Sequence, residues 1–402
     1  MSDIIGCRSI LVIQSDWHDS LRNNDTSAWI YYKRRGEPAQ YDKIGGTATS
    51  DTFQVQSRTE RTISVKHQPS SLSTVFIAPV AIFSGIHSKS VISLGVGEGG
   101  LGVSVCTDNK LHVWETQTGI VRRTLAGHLF DVYTCQLFPS GVVVLSGGGD
   151  MQLRIWDAVT GSSPVVLQGH VGAVLDAAIV DRGKNIISVS KDGTARLWNC
   201  GEGKCIATLL SVESVINCCA LTSVTDAISL PHPEQEPDDL EHSTSGKLLL
   251  VGCEDGSAHL LGVECRKVLN SFTFGAAVLC VCWATPTHGV VGLSDGQLMV
   301  VDATSHTTHL LAHNSASPVQ SLSPYTIGIR ERKVVGVLAG RRDGVCQFYQ
   351  IDTSADSMLT NLYQLTGSDC DPVYSIATDM DHIYIACRDG CIRKYCRRDL
   401  RL

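Results

Sequence analysis

The sequence predicts an all-β chain, a ring of seven four-stranded blades preceded by a small α+β domain. Three observations carry that prediction. Tryptophans recur 42 residues apart at Trp114, Trp156 and Trp198, and histidines at His87, His128 and His170 precede them at spacings of 41 and 42. A turn-forming aspartate recurs seven times, at Asp108, Asp150, Asp192, Asp255, Asp295, Asp343 and Asp389. Short Val/Ile/Leu runs fill the intervals, and the chain's 37 glycines punctuate them, which is the pattern of strand and turn. A period of about 40–45 residues, with Gly-His early and Trp late, marks a repeat whose four strands make one propeller blade, the WD repeat.

The first three repeats explain why these residues recur. In VSVCTDNKLHVW, VLSGGGDMQLRIWD and ISVSKDGTARLWN, an Asp stands six residues before the Trp and a Ser four residues before the Asp. With the Asp in the hairpin turn, Ser and Trp fall on the two flanking strands and the His arrives from the preceding loop. A hydrogen-bonded chain from Asp to His to Ser to Trp then pins the blade, each bond contributing ~1 kcal/mol net. The expected tetrads are His87, Ser104, Asp108 and Trp114; His128, Ser146, Asp150 and Trp156; and His170, Ser188, Asp192 and Trp198. The four weaker repeats place Leu261, Val301, Tyr349 and Tyr395 at the Trp position and Val251, Val291, Ala339 and Ile385 at the Ser position, so apolar packing is expected there.

The division that follows is a small N-terminal domain over 1–72 and a propeller over 73–402. The last repeat runs out soon after its third strand, and a ring cannot leave that edge open. Residues 74–83, TVFIAPVAIF, are expected to supply the missing strand. Residues 222–246, rich in Pro and acids, are a surplus within the fourth repeat and are expected to form a flexible exposed loop on the face opposite the Asp turns. In the N-terminal stretch, SDWHDSLRN at 15–23 reads as a short helix capped by Ser15.

Composition narrows the function classes. A net charge of −7 argues against a general nucleic-acid binder and suits an acidic surface that meets a basic protein. No apolar run approaches the ~20 residues of a membrane span, and MSDIIGCRSI lacks the pattern of a secretion signal. The 16 cysteines include no C-x-x-C pair and sit mostly in apolar runs, as expected of buried small hydrophobes in a reduced compartment.

Several strings imitate chemistry. Gly95 to Gly100 satisfies G-x-G-x-x-G, but a strand follows where a dinucleotide site needs a helix. Gly292-Leu293-Ser294-Asp295-Gly296 satisfies G-x-S-x-G, but again a strand follows. His306, His309 and His313 lack the geometry of a metal motif. Trp17, Trp29 and Trp283 read as packing residues, and the basic strings RERK at 330–333 and RRDLRL at the end as solvated surface. No catalytic residue, metal or cofactor is expected, and the chain is read as a binding platform rather than an enzyme.

The strings IQSDW at 13–17, GHLFDV at 127–132, FPSGVVVLSGGGD at 138–150, AIVDRGKN at 178–185, SKDGTARLWNCG at 190–201 and DCDPVYSIA at 369–377 resemble the proteasomal ATPase-associated factors. IQSDW and DCDPVY lie outside the repeat consensus and carry most of the resemblance. It implies a non-enzymatic assembly chaperone of the cytoplasm and nucleus, acting as a monomer. Such a chaperone holds the C-terminal domain of an AAA-type ATPase subunit of the proteasome's 19S regulatory particle and governs base assembly and docking on the 20S core. Repeat geometry puts Asp131, Lys191, Glu254, Arg342, Asp369, Asp371 and Arg388 on the Asp-turn face as the residues expected to meet that partner. A substrate receptor of a cullin ubiquitin ligase is the alternative, disfavoured because the third strands end in WETQ, WDAV and WNCG without the Trp-Asp-x-Arg string of such receptors.

Overall fold

In the computed structural model, residues 9–22, 26–45, 50–226, 228–234, 236–329, 332–351 and 361–400 are described; residues 1–8, Asn23, Arg330, Glu331, Arg401 and Leu402, which belong to strings noted above, lie outside them. Strand follows strand by tight turns, and the strands group into seven blades spanning 91–125, 132–168, 174–211, 216–273, 278–312, 319–365 and 373–396. Each blade is antiparallel from its inner strand outward. The inner strand of every blade packs on the next, and that of the seventh, Val373–Thr378, packs on that of the first, Val91–Val96. The fold is a seven-bladed WD-repeat propeller.

A second seven-fold pattern, on the inner strands, accounts for the closeness of that ring. Each begins with a buried β-branched residue, namely Val91, Val132, Val174, Ile216, Val278, Val319 and Val373. Directly after it the pairing register slips by one residue, a bulge that increases twist and turns the strand toward the ring axis. The next paired residues are Ser93, Thr134, Asp176, Cys218, Cys280, Ser321 and Ser375, and six of these seven reach the neighbouring blade. Ser93 Oγ accepts from the Cys135 amide at 3.0 Å, Asp176 from the Cys219 amide at 3.0 Å, and Ser375 Oγ from the Leu94 amide at 3.2 Å, which closes the circle. Burial pushes the Asp176 carboxyl up to about 6, against the amides that stabilise its charged form. The string V/I-x-S/T/C/D therefore counts the blades as well as the aspartate turns do.

Residues 74–83 do not act as one strand. Ala81–Phe83 pairs antiparallel with Ile392–Cys396 and completes the seventh blade. Ser73–Ile77 instead pairs parallel with Asn361–Leu365, the outer strand of the sixth blade. Pro79 divides the two, having no N–H to continue a ladder, and the Val80 amide beyond it already bonds to Lys394 O at 2.7 Å. Phe83 is held by the first blade: it packs 5.7 Å from the Trp114 ring and against Gly119, whose φ is +72° and where a Cβ would lie 2.6 Å from Phe83.

The boundary at 72 is likewise corrected. Phe53–Arg58 and Thr62–His67 extend the sheet begun by Ser73–Ile77, so the sixth blade grows to seven strands. A separate sheet of Ser9–Ile13, Ala28–Arg34 and Gln40–Ile44 folds over it, and its buried Leu11, Ile30 and Trp17 share one core with Phe76, Ala78 and Leu362. The helix is a single turn, Trp17–Ser20, and its N-cap is Asp16 without a side-chain cap. Ser15 donates instead to Asp369 Oδ1 at 3.2 Å.

The insertion leaves the fourth blade between its first two strands, Ile216–Ser223 and Lys247–Cys253, so it does lie opposite the Asp turns. It is not a free loop. Asn185 and Asn199 both donate to Leu240 O, at 3.0 and 2.9 Å, the Glu241 carboxylate pairs with Arg266, and Ile228 and Leu230 pack on the blade's core. Pro and acid content alone misjudged it because its anchors, Asn185 and Asn199 of the third blade and Arg266 of the fourth, lie outside the insertion itself.

Candidate protein-binding face

The turns between second and third strands, together with the loops entering each inner strand, form one face of the ring, and side-chain networks hold them. In the second blade His128 Nδ1 meets Asp150 Oδ2 at 2.8 Å, His128 Nε2 meets Ser146 Oγ at 2.7 Å, and Trp156 Nε1 donates to Ser146 Oγ at 2.8 Å. The third blade repeats this, with His170 to Asp192 at 2.8 Å, His170 to Ser188 at 2.8 Å and Trp198 to Ser188 at 2.8 Å. Burial lowers both histidine pKa values, which favours the neutral ring that donates from Nδ1 and accepts at Nε2. Burial would raise Asp192, but donation from Thr194, Val171 and His170 holds it at about 2.

The first blade departs from the expected tetrad. His87 Nε2 meets Ser104 Oγ at 2.7 Å and Trp114 donates to the same oxygen at 3.0 Å, but Asp108 turns to Lys110, 3.2 Å away, and to Cys106. His87 Nδ1 is left buried without a hydrogen-bond partner among the described residues, and the His112 ring packs 4.9 Å from the His87 ring where the next two blades carry Arg154 and Arg196. Burial, helped by His112, brings His87 down to about 4.

Of the four blades expected to rely on apolar packing, the fourth and fifth do, with Leu261, Val251, Val301 and Val291 fully buried. The sixth builds a polar network of its own. Tyr349 OH takes a hydrogen bond from Asn314 at 3.0 Å and gives one to Gln347 at 3.0 Å, and the fully buried Arg341 reaches Tyr349 OH at 3.3 Å and Gly296 O at 2.9 Å. Asn314 stands five residues before Val319, close to the spacing of four from His128 to Val132, and that was the available signal. In the seventh blade Tyr395 donates to Thr366 O and Arg393 pairs with Asp389.

The seven residues expected to meet a partner all lie at this end of the blades, but several are engaged. Arg388 and Asp371 pair with each other at 2.8 Å, Glu254 accepts from Asn217 at 2.6 Å, Asp369 from Ser15, and Lys191 lies 5.6 Å over the Tyr133 ring. Asp131 and Arg342 are exposed and carry no side-chain bond among the described residues. Sequence reasoning missed the apolar members. Leu129 is 77% exposed, Phe130 62% and Val171 79%. The signal was their place directly after Gly-His: the tetrad aspartates accept the Leu129 amide at 3.2 Å and the Val171 amide at 3.0 Å, so the network that pins the blade also fixes the backbone presenting these side chains. Exposed large apolar side chains on a rigid rim, with charged neighbours, make this rim a candidate protein-binding surface.

The chemistry-like strings resolve as turns. Gly97 to Gly100 joins two strands of the first blade, and Ser294 sits in the turn of the fifth with its amide bonded to Ala277 O. His306 occupies a turn and His313 lies against Arg35. Trp17 and Trp283 are buried, but Trp29 is 37% exposed and stacks on Tyr31, so it is no core residue.

The model "WD domain, G-beta repeat" matches residues 119–157 and 161–199, windows that start on the outer strand of one blade and end on the third strand of the next. The model "Anaphase-promoting complex subunit 4 WD40 domain" matches 227–286, across the insertion. The chain is 42% identical over 402 residues to "Proteasomal ATPase-associated factor 1" of Homo sapiens, covering 97% of this chain and 99% of the relative. It is 41% identical to the protein of the same name from Gallus gallus at the same coverage. It is 32% identical to "Probable proteasomal ATPase-associated factor 1" of Dictyostelium discoideum, covering 95% of each.

Proposed function

Because the chain belongs to the proteasomal ATPase-associated factor 1 family, we propose that it is a chaperone that binds the C-terminal domain of an AAA-type ATPase subunit of the 19S regulatory particle and withholds it from its next partner. Membership of a family of proteasome-associated WD-repeat scaffolds is the ground on which this reading stands. The observation that carries it is the rim of the second and third blades, where Leu129, Phe130 and Val171 are exposed on loops fixed by the tetrads. Apolar anchors of this kind supply affinity, while Asp131 and Lys191 beside them set orientation and on-rate. The net charge of −7 favours a basic partner surface. The protein acts as a monomer in cytoplasm and nucleus, where its many buried cysteines stay reduced.

The test is capture of isolated ATPase C-terminal domains on the immobilised full chain. One or two subunits are expected to bind, and Phe130→Ser with Val171→Ser should weaken capture at least about tenfold, as loss of anchor residues does. Recovery of none of the subunits rejects the proposal, and equal capture by the double variant removes this rim from it.

A further inference from the structure

A second surface lies on the same face but at the sixth and seventh blades, where the N-terminal sheet stands against them and encloses a cleft of about 360 Å³. Two hydrogen bonds tie the N-terminal segment to the segment leading into the seventh blade beside it: Trp17 Nε1 donates to Thr366 Oγ1 at 3.0 Å and Ser15 Oγ to Asp369 at 3.2 Å. One wall is the outward face of the sheet. Its other face supplies Leu11 and Ile30 to the N-terminal core, while this one buries Ile10 but is otherwise partly open. Yet it carries an aromatic ladder, Trp29 stacked 6.0 Å from Tyr31 at 12° and Tyr31 5.0 Å from Tyr41, with Tyr41 71% exposed.

The opposite wall is acidic. Asp343 stands in the turn of the sixth blade and Asp369 in the loop entering the seventh. The two are locked together because Gly344, at φ +84°, lies where a Cβ would come within 2.7 Å of Cys370. Asp343 accepts from Ser315 at 2.9 Å and Asp369 from Ser15, neither of which neutralises the charge. Burial, with Asp343 next, pushes the Tyr31 hydroxyl up to about 12, so the Asp343 charge is felt at that ring. Further along the cleft turns basic, at Lys33 on the same strand and at Arg35 in the turn after it.

We propose that this cleft binds an extended peptide that places a Lys or Arg side chain between the Trp29–Tyr31 ladder and the carboxylates of Asp343 and Asp369, and an Asp or Glu two to four residues away against Lys33 and Arg35. A cation over an aromatic face backed by carboxylates is held by both the ring quadrupole and charge-assisted hydrogen bonds. Same-face positions on a strand are about 6.6 Å apart, so Trp29, Tyr31 and Lys33 present the aromatic-to-basic change at the spacing of alternate side chains in an extended ligand, with Arg35 in the turn beyond. Asp369 is shared with the face expected to meet the ATPase, but the ligand here is defined by its charge order, so failure of this site leaves that reading intact.

The experiment uses the full chain labelled with ¹⁵N at tryptophan and the probe peptide acetyl-Gly-Ser-Arg-Gly-Glu-Ser-Gly-amide. Titration is expected to shift the Trp29 indole signal while those of Trp114, Trp156 and Trp198 stay still. Replacing the probe's Arg by Gln, or using the Asp343→Asn/Asp369→Asn chain, should weaken binding about tenfold, the loss of one charge-assisted contact. The three tetrad indoles report whether the variant is folded. A Trp29 signal that does not move at millimolar probe, or that moves equally with the Gln probe, overturns the proposal.

Discussion

At Asp150 and Asp192 a carboxylate ends a chain of buried hydrogen bonds, whereas Asp108, at the same position of its repeat, faces Lys110 at the surface. Removing the first two leaves a buried histidine N–H without an acceptor, a loss of about 2 kcal/mol each, while Asp108→Ala removes an exposed pair and costs about 0.5 kcal/mol or less. Equilibrium unfolding in guanidinium checks this, and equal losses at the three positions would refute it. The isolated ring of His87 has a further consequence. Its folded pKa of about 4 lies below the ordinary 6.5, so on acidification the unfolded chain takes up the proton first. The stability His87 contributes is therefore complete above pH 6.5 and is lost as pH falls toward 4, about 2 kcal/mol by pH 5. His128 and His170, also lowered, act in the same direction. Asp176 acts in the other, because its pKa of about 6 lies above the unfolded value and acid relieves its buried charge. Thermal melting between pH 7.5 and 5 should lower the midpoint of the parent chain more than that of His87→Gln; parallel curves would assign the pH dependence elsewhere.

Among the elements, the three-residue strand Ala81–Phe83 has the largest effect for its size, since it alone completes the seventh blade and touches the first. Phe83 and Gly119 are in such close contact that their substitutions cannot be independent. Phe83→Ala should cost about 3 kcal/mol as a buried aromatic truncation. Gly119→Ala should cost roughly 1 kcal/mol less in the Phe83→Ala background than alone, because the clash has gone and only the strain of a positive φ remains. Additive losses in a double-mutant cycle would contradict this contact. The same strand marks where the sequence stops being legible. Blade number, Asp turns and the His–Ser–Trp contacts are local, set by spacings of four, six and about twenty residues, and are readable from one repeat to the next. The parallel pairing of Ser73–Ile77 with Asn361–Leu365 spans nearly 300 residues and leaves no periodic mark. The charged rim was legible as positions, but not its engagement, because Arg388 in the turn after the seventh blade's second strand is partnered by Asp371 in the loop entering that blade, and the apolar anchors Leu129, Phe130 and Val171 follow no alternation.

For the whole molecule, the pairing of chain start with chain end decides how it unfolds. The N-terminal sheet shares its core with Phe76 and Leu362, Trp17 bonds to Thr366, and the parallel strand ties residues 73–77 to the sixth blade, whose neighbours close the ring. Neither part can open without exposing apolar surface of the other, and loss of the sixth blade's outer strands leaves the ring with an unpaired edge. A small domain joined only by a linker would melt on its own, giving two transitions. The shared core predicts one. The indole signals of Trp17 in the N-terminal core and Trp198 in the third blade should disappear at the same guanidinium concentration, and a chain starting at residue 53, which lacks the overlying sheet but keeps every propeller strand, should lose stability throughout the ring, with the Trp198 midpoint falling in step. Separate midpoints for Trp17 and Trp198 in the full chain, or an unchanged Trp198 midpoint in the shortened one, would mean that the N-terminal sheet rides on the propeller without supporting it, and the cleft between them would then lack the fixed walls on which its charge order depends.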